Sequence, residues 1–178
     1  MTLTALIIFI TLIFLISFPY IFNILKLKNP NKIKIPSHGN QASLSKGKIF
    51  YRWHEPKELL SDEIIVLVHG FATPSFVWNG IMEDLLSTGR RVLSYDHFGR
   101  GYSERPRTQY DKNLYLETLR ELILSQDINE KVHIVGYSMG GPIASHYAAE
   151  YPNEVKSVSL IAPAGFSKSL PQTKSWIT

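Results

Sequence analysis

Four short apolar runs, spaced along the chain with helix-forming sequence between them, restrict the fold more than any other feature. They are "EIIVLVHG" at 63–70, "RRVLSYDHFGRG" at 90–101, "KVHIVGYS" at 131–138 and "VKSVSLIAPAG" at 155–165. Each reads as a buried strand, because a strand covered on both faces is a continuous Val/Ile/Leu run rather than an alternation. "FVWNGIMEDLLSTG" at 76–89 has helical spacing and a glycine stop, and "NLYLETLRELILSQ" at 113–126 places Leu116, Leu119, Leu122 and Ile123 along one helical face. A further helix is expected from about Gly141 to Glu150, and "GKIFYRWHEP" at 47–56 reads as an earlier strand. Strands joined through helices pair in parallel with right-handed crossovers. The expected architecture is therefore α/β, a mostly parallel sheet with helices on both faces.

The amino terminus lies outside that scheme. No charged residue occurs before Lys26, and "LTALIIFITLIFLISFPYIFNIL" at 3–25 would span roughly 35 Å as a helix, enough to cross a bilayer. A cleaved signal peptide would carry a basic start, a shorter apolar core and a small-residue cleavage site. None is evident, so the segment is expected to be an uncleaved anchor. Lys26, Lys28, Lys32 and Lys34 follow it directly, which by the positive-inside rule places the remainder on the cytoplasmic side. The sequence thus divides into an anchor at 1–25, a basic juxtamembrane linker at 26–43 and a globular portion at 44–178.

Charge follows the same division. Residues 1–48 hold six lysines and no acid, whereas residues 49–178 hold 13 Lys or Arg against 15 Asp or Glu. The excess of positive charge thus belongs to the linker, where it suits anionic lipid, and it gives no basic face for nucleic acid. The chain has no cysteine, which excludes disulfides and thiolate zinc sites. No cofactor and no metal is expected, and oligomeric state is not legible.

The residue that carries chemistry is Ser138. "GYSMGG" at 136–141 sets a serine between glycines where an apolar strand turns into an alanine-rich helix, the context of a nucleophile on a sharp turn. A Gly-x-Ser-x-Gly string alone arises in roughly one chain of this length in twenty; the strand before it and the helix after it carry the weight. Together with "LVHGF" at 67–71, "YDHFGRGYSERP" at 95–106 and "LIAPAG" at 160–165, this block makes the chain resemble the α/β-hydrolase fold family, in its serine esterase, monoacylglycerol lipase and carbon–carbon hydrolase branch. The resemblance covers about residues 45–166, the amino-terminal half of such a domain, truncated after about the sixth strand.

The resemblance implies that Ser138 is the nucleophile and that the backbone N–H groups of Phe71 and Met139 form the oxyanion hole. It also makes His69 a shaper of the loop before Phe71, with His69 and Phe71 as possible substrate-pocket residues, and treats the loop containing Asp96 and His97 as structural. Phe76 and Trp78 suit the core better than an acyl pocket. The family order of nucleophile, acid and histidine finds no counterpart here. No Asp follows Ser138, Glu150 and Glu154 are the only later acids, and His146 lies eight residues along the same helix, about 12 Å in rise, beyond the reach of a general base. The expected function is a membrane-anchored serine hydrolase of carboxylic, lipid-like esters acting through an acyl-enzyme, present as an incomplete chain. The alternative is a catalytically inactive anchored module.

Overall fold

A computed structural model describes residues 3–26 and 34–165. Contacts divide the chain into two units, Met1–Ile33 and Lys34–Thr178. The described part of the first is one helix, α1 (Leu3–Lys26), with Pro19 inside it. Thr4–Asn23 is long and apolar enough to cross a membrane. Phe14, Phe18 and Phe22 stack along one side, with ring centroids 5.3 and 5.7 Å apart, and Thr11 and Ser17 satisfy their hydroxyls on carbonyls one turn back. Lys28 and Lys32 of the expected linker lie outside the described residues, as does the stretch 166–178.

The second unit is built on a six-stranded sheet. Its elements are β1 (Asn40–Leu44), β2 (Gly47–His54), β3 (Ile64–Val68), a 3-10 turn (Ser75–Gly80), α2 (Met82–Ser87), β4 (Arg91–Tyr95), α3 (Lys112–Ser125), β5 (Val132–Tyr137), α4 (Gly140–Glu150) and β6 (Val155–Ile161). The strand order is β1-β2-β4-β3-β5-β6. β4, β3, β5 and β6 run parallel, as their helical crossovers require, but β1 and β2 pair antiparallel and β2 runs antiparallel to β4. Four of the six strands are parallel, as a mostly parallel sheet requires, and an antiparallel edge makes the sheet mixed. The cause is the tight β1–β2 connection, in which Leu44 faces Gly47 in register. Two strands joined by two residues can pair only antiparallel.

Period-two alternation along β3 explains how both faces are covered. Ile64, Val66 and Val68 join α3 and α4 through Leu116, Leu119, Leu122, Ile143, Ala144 and Tyr147. Ile65 and Leu67 point the other way, to Trp78 and Met82. α2 and the 3-10 turn thus cover one face, and α3 and α4 the other. α3 starts where the Asp111 carboxylate accepts from the Leu114 N–H at 3.0 Å, an N-cap that satisfies one of the helix's orphan donors. The stretch 76–89, expected as one helix, breaks between Gly80 and Met82 into a 3-10 turn and a short α-helix.

β3 is the pivot of the sheet. The chain leaves it to one side to make β4 and crosses to the other side to make β5, so the connections diverge above the carboxyl ends of β3 and β5. In an open parallel sheet that divergence is where ligand-binding crevices form.

Candidate active site

Ser138 stands immediately beyond β5, at that divergence. Its φ is 51°, a left-handed conformation that costs a non-glycine residue on the order of 1–3 kcal/mol and persists only where the surroundings impose it. Here three backbone hydrogen bonds do so. The Ser138 N–H donates to the Ile161 carbonyl at 3.0 Å, and the Ser138 carbonyl accepts from the N–H groups of Gly141 and Ala164, each at 3.0 Å. Met139 follows, buried, and α4 begins one residue later.

The flanking glycines are steric requirements of this turn. A Cβ on Gly136 would lie 2.4 Å from the Gly140 carbonyl oxygen, and one on Gly140 would lie 2.0 Å from that of Val68. Strand, turn and helix are thus folded against each other and against the end of β3 with no room for a side chain.

The segment that follows β3 meets the serine directly. Val68 pairs with Gly136 in register, so His69-Gly70-Phe71 and Tyr137-Ser138-Met139 leave the sheet side by side. A Cβ on Gly70 would stand 3.1 Å from the Ser138 Cβ. Among the described residues there is no cis peptide, so the Phe71 N–H points opposite to the Gly70 carbonyl with which it shares a peptide plane. That carbonyl is held at 2.6 Å by Nδ1 of His69. His69 Nε2 accepts from the His97 backbone N–H at 2.9 Å, which leaves the ring proton on Nδ1 and makes the contact to Gly70 a donated hydrogen bond. His97 Nε2 in turn donates to the His69 carbonyl at 3.1 Å. The two buried imidazoles lock each other and, through Gly70, fix the direction of the Phe71 amide.

Asp96 pins the same region from below. Its carboxylate accepts from the Ser75 N–H at 2.8 Å and from the Tyr102 N–H at 2.9 Å, binding the loop after β3 to the loop after β4. Gly101 is obligatory beside it, since a Cβ there would fall 1.9 Å from Asp96 Oδ2. Asp96 and His97 thus face different partners and form no acid–base pair. Trp78 is in the core, while Phe71 and Phe76 are 50% and 60% exposed.

No histidine ring reaches Ser138 by a hydrogen bond among the described residues. His69 and His97 are committed to each other, and His54 meets Ser94 at 2.9 Å. His133 meets Ser157 and Glu63, and His146 is exposed on α4. A cavity of about 480 Å³ lined by Ser61, Asp62, Glu63, Glu130, Lys131 and Lys156 opens at the amino ends of β3, β5 and β6, the opposite end of the sheet from the serine. No group of His, Asp and Glu suited to a metal occurs among the described residues.

Burial, the largest influence on each, sets the protonation of three histidines. It lowers His54 to about 4, with Arg52 and His38 adding to the effect. It also lowers His69 and His97, against a smaller upward pull of Asp96 on His69 and with Arg100 pushing both down. The unfolded chain therefore takes up protons near pH 6.5 that the folded chain refuses. Stability contributed by these neutral rings is present above about pH 6.5 and is lost as pH falls, by up to about 1.4 kcal/mol per pH unit for each histidine. Glu63, lowered to about 2 chiefly by hydrogen bonds from Lys156 and then Arg90, loses its contribution only below the ordinary carboxylate range, outside this window. The urea midpoint is expected to fall between pH 6.5 and pH 5; an equal or higher midpoint at pH 5 would contradict the neutral-histidine assignment.

Comparison with known proteins adds relatives to this geometry. The family model described as alpha/beta hydrolase fold matches residues 63–177. The chain is 34% identical over 110 residues to an uncharacterized protein of Mycobacterium tuberculosis, covering 62% of this chain and 32% of that one. It is 34% identical over 116 residues to Lipase 3 of Moraxella sp., covering 64% and 36%. With 1-acylglycerol-3-phosphate O-acyltransferase ABHD5 of Rattus norvegicus it shares 35% identity over 106 residues, 57% of this chain and 30% of the enzyme. Among solved structures it is similar to an esterase from Exiguobacterium antarcticum, with a TM-score of 0.63 and 26% identity over 71% of this chain and 46% of the esterase. It is likewise similar to a probable hydrolytic enzyme from Pseudomonas aeruginosa PAO1, with a TM-score of 0.65 and 26% identity over 76% and 44%. The chain spans about a third of the length of the curated relatives it matches.

Proposed function

We infer the function from one premise: the chain belongs to the α/β-hydrolase fold family. The proposed activity is hydrolysis of carboxylic, lipid-like esters with Ser138 as nucleophile. The single observation that carries it is the left-handed Ser138 at the end of a central parallel strand, its neighbours excluded by glycine on both sides. In this scheme the Ser138 Oγ attacks the ester carbonyl, and the N–H groups of Phe71 and Met139 receive the charge that develops on its oxygen, each contributing about 3 kcal/mol to the transition state. The alcohol departs, leaving an acyl-serine, and water then releases the acid. Phe71, exposed beside the serine, lines the acyl side; His69 acts by holding the loop.

The histidine that takes the serine proton, and its acid partner, are assigned to no residue from 1 to 178. One observation favours a second reading, an inactive anchored module: all six histidines are described and none is bonded to Ser138. The two readings separate when the chain is complemented by the carboxy-terminal half of a close relative and treated with a fluorophosphonate. Modification of Ser138, located by peptide mass and lost in Ser138→Ala, is expected. A co-purifying complex with Ser138 unmodified would overturn the hydrolase and leave the module.

Residues 3–25 are proposed to anchor the protein with the hydrolase domain on the cytoplasmic face, supported by the uncharged stretch 3–25 of α1 and the lysines at 26, 28, 32 and 34. Alkaline carbonate extraction is expected to leave the protein in the membrane pellet. Release into the supernatant would refute the anchor.

A further inference from the structure

Arg100 touches neither the Ser138 turn nor α4 by any bond described, yet it holds Phe71 in two ways. Its Nε–H donates to the Phe71 carbonyl at 2.6 Å, and its guanidinium carbon lies 4.4 Å from the Phe71 ring centroid. A planar cation that stacks on a ring while donating from its edge restrains the ring and the main chain of the same residue together, which a lysine ammonium cannot do. The guanidinium is itself fixed. Its Nη1 donates to the Gly99 carbonyl at 3.0 Å, and the main chain of Arg100 is in a turn, with its N–H on the His97 carbonyl and its carbonyl on the Ser103 N–H. Gly99 and Gly101 on either side both have positive φ, 79° and 47°, so the loop that presents Arg100 is sterically specified.

The peptide on the amino side of Phe71 is held by His69 through the Gly70 carbonyl. The peptide on its carboxyl side is held by Arg100. Phe71 is therefore clamped at both ends although its side chain is half exposed. Without the second clamp, the Phe71 carbonyl and ring would lose the hydrogen bond and the cation–ring contact that Arg100 supplies.

We propose that Arg100 is a positioning residue that sets the Phe71 amide and ring for ester hydrolysis, an assignment that rests on the oxyanion role proposed above for Phe71. Misplacement of a catalytic group by about 1 Å can cost on the order of 100-fold in rate. Arg100→Met is accordingly expected to lower kcat by roughly 10- to 100-fold with KM changed by less than about 3-fold, and Arg100→Lys, which keeps charge and a donor but not the stacked plane, to recover part of the loss.

The test measures hydrogen exchange of peptides covering 69–76 and 132–137 in the full chain in detergent, and p-nitrophenyl butyrate turnover of the same variants in the complemented hydrolase. Faster exchange confined to 69–76 in Arg100→Met, with β5 unchanged, intermediate exchange in Arg100→Lys and the kcat-selective loss, is the expected result. Unchanged exchange at 69–76 overturns the clamp. So does acceleration of both segments together, which would mark a merely structural arginine, and so does wild-type kcat in Arg100→Met. Absence of any Ser138-dependent turnover before Arg100 is altered sinks the proposed hydrolase and the catalytic purpose given to Arg100, while the exchange data still decide whether the clamp exists.

Discussion

Residues 1–178 alone are expected to hydrolyse p-nitrophenyl butyrate at no more than the roughly 10³- to 10⁴-fold over water that an oxyanion hole and binding give without a working triad. The expectation follows from where the histidines are. Two are neutral, buried and bonded to each other; two more are tied to Ser94 and to Ser157 and Glu63; His38 is exposed ahead of β1, and His146 is exposed eight residues along α4. A serine hydroxyl without a base is a poor nucleophile. Complementation with a relative's carboxy-terminal half is expected to raise the rate by several orders of magnitude, and Ser138→Ala to remove that gain. The decisive contrary result would be Ser138-dependent turnover of 1 to 10³ per second from the chain alone, since it would require a base that the described hydrogen bonds do not provide.

The sharp turn that carries Ser138 was legible because its causes are local. An apolar strand, a serine between glycines and a small-residue helix lie within twenty residues, and each glycine is explained by an atom a Cβ would strike. The clamps around it were not legible. Asp96 reaches 21 residues back to Ser75 and Arg100 29 residues back to Phe71, and no periodicity encodes such contacts. The glycines flanking Arg100 signalled a tight loop without saying what the arginine would grip.

The antiparallel end of the sheet was hidden for a different reason. In β1, "NQASL", only Ala42 is buried, so the strand lacks the alternation that reveals one and falls within what the sequence presents as linker. It is held by its pairing with β2 and by the Ser45 N–H and hydroxyl on Glu121 of α3, at 2.7 and 2.6 Å. Those are tertiary facts. Long-range pairing overrides weak local propensity here.

Gly140→Ala is expected to be among the most damaging single-methyl additions this domain can suffer. The new Cβ would lie 2.0 Å from the Val68 carbonyl oxygen, 2.7 Å from its carbon and 2.9 Å from the His69 carbonyl oxygen. All three are backbone atoms at the end of the pivotal strand, so no side chain can rotate away. Relief requires α4 to lift from β3, but α4 is held by Ile143, Ala144 and Tyr147 in the core. Overpacking a well-filled interior costs typically 1–3 kcal/mol and more where the obstacle cannot move, against a total stability of about 5–15 kcal/mol for an ordinary domain. A loss of about 3 kcal/mol or more in urea unfolding is expected for Gly140→Ala. Gly80→Ala supplies the control, because a Cβ there meets nothing within 4 Å and should shift stability by no more than about 0.5 kcal/mol. Equal midpoints for the two variants would mean that α4 does not sit against β3 as described, and the geometry assigned to Ser138 would fall with it.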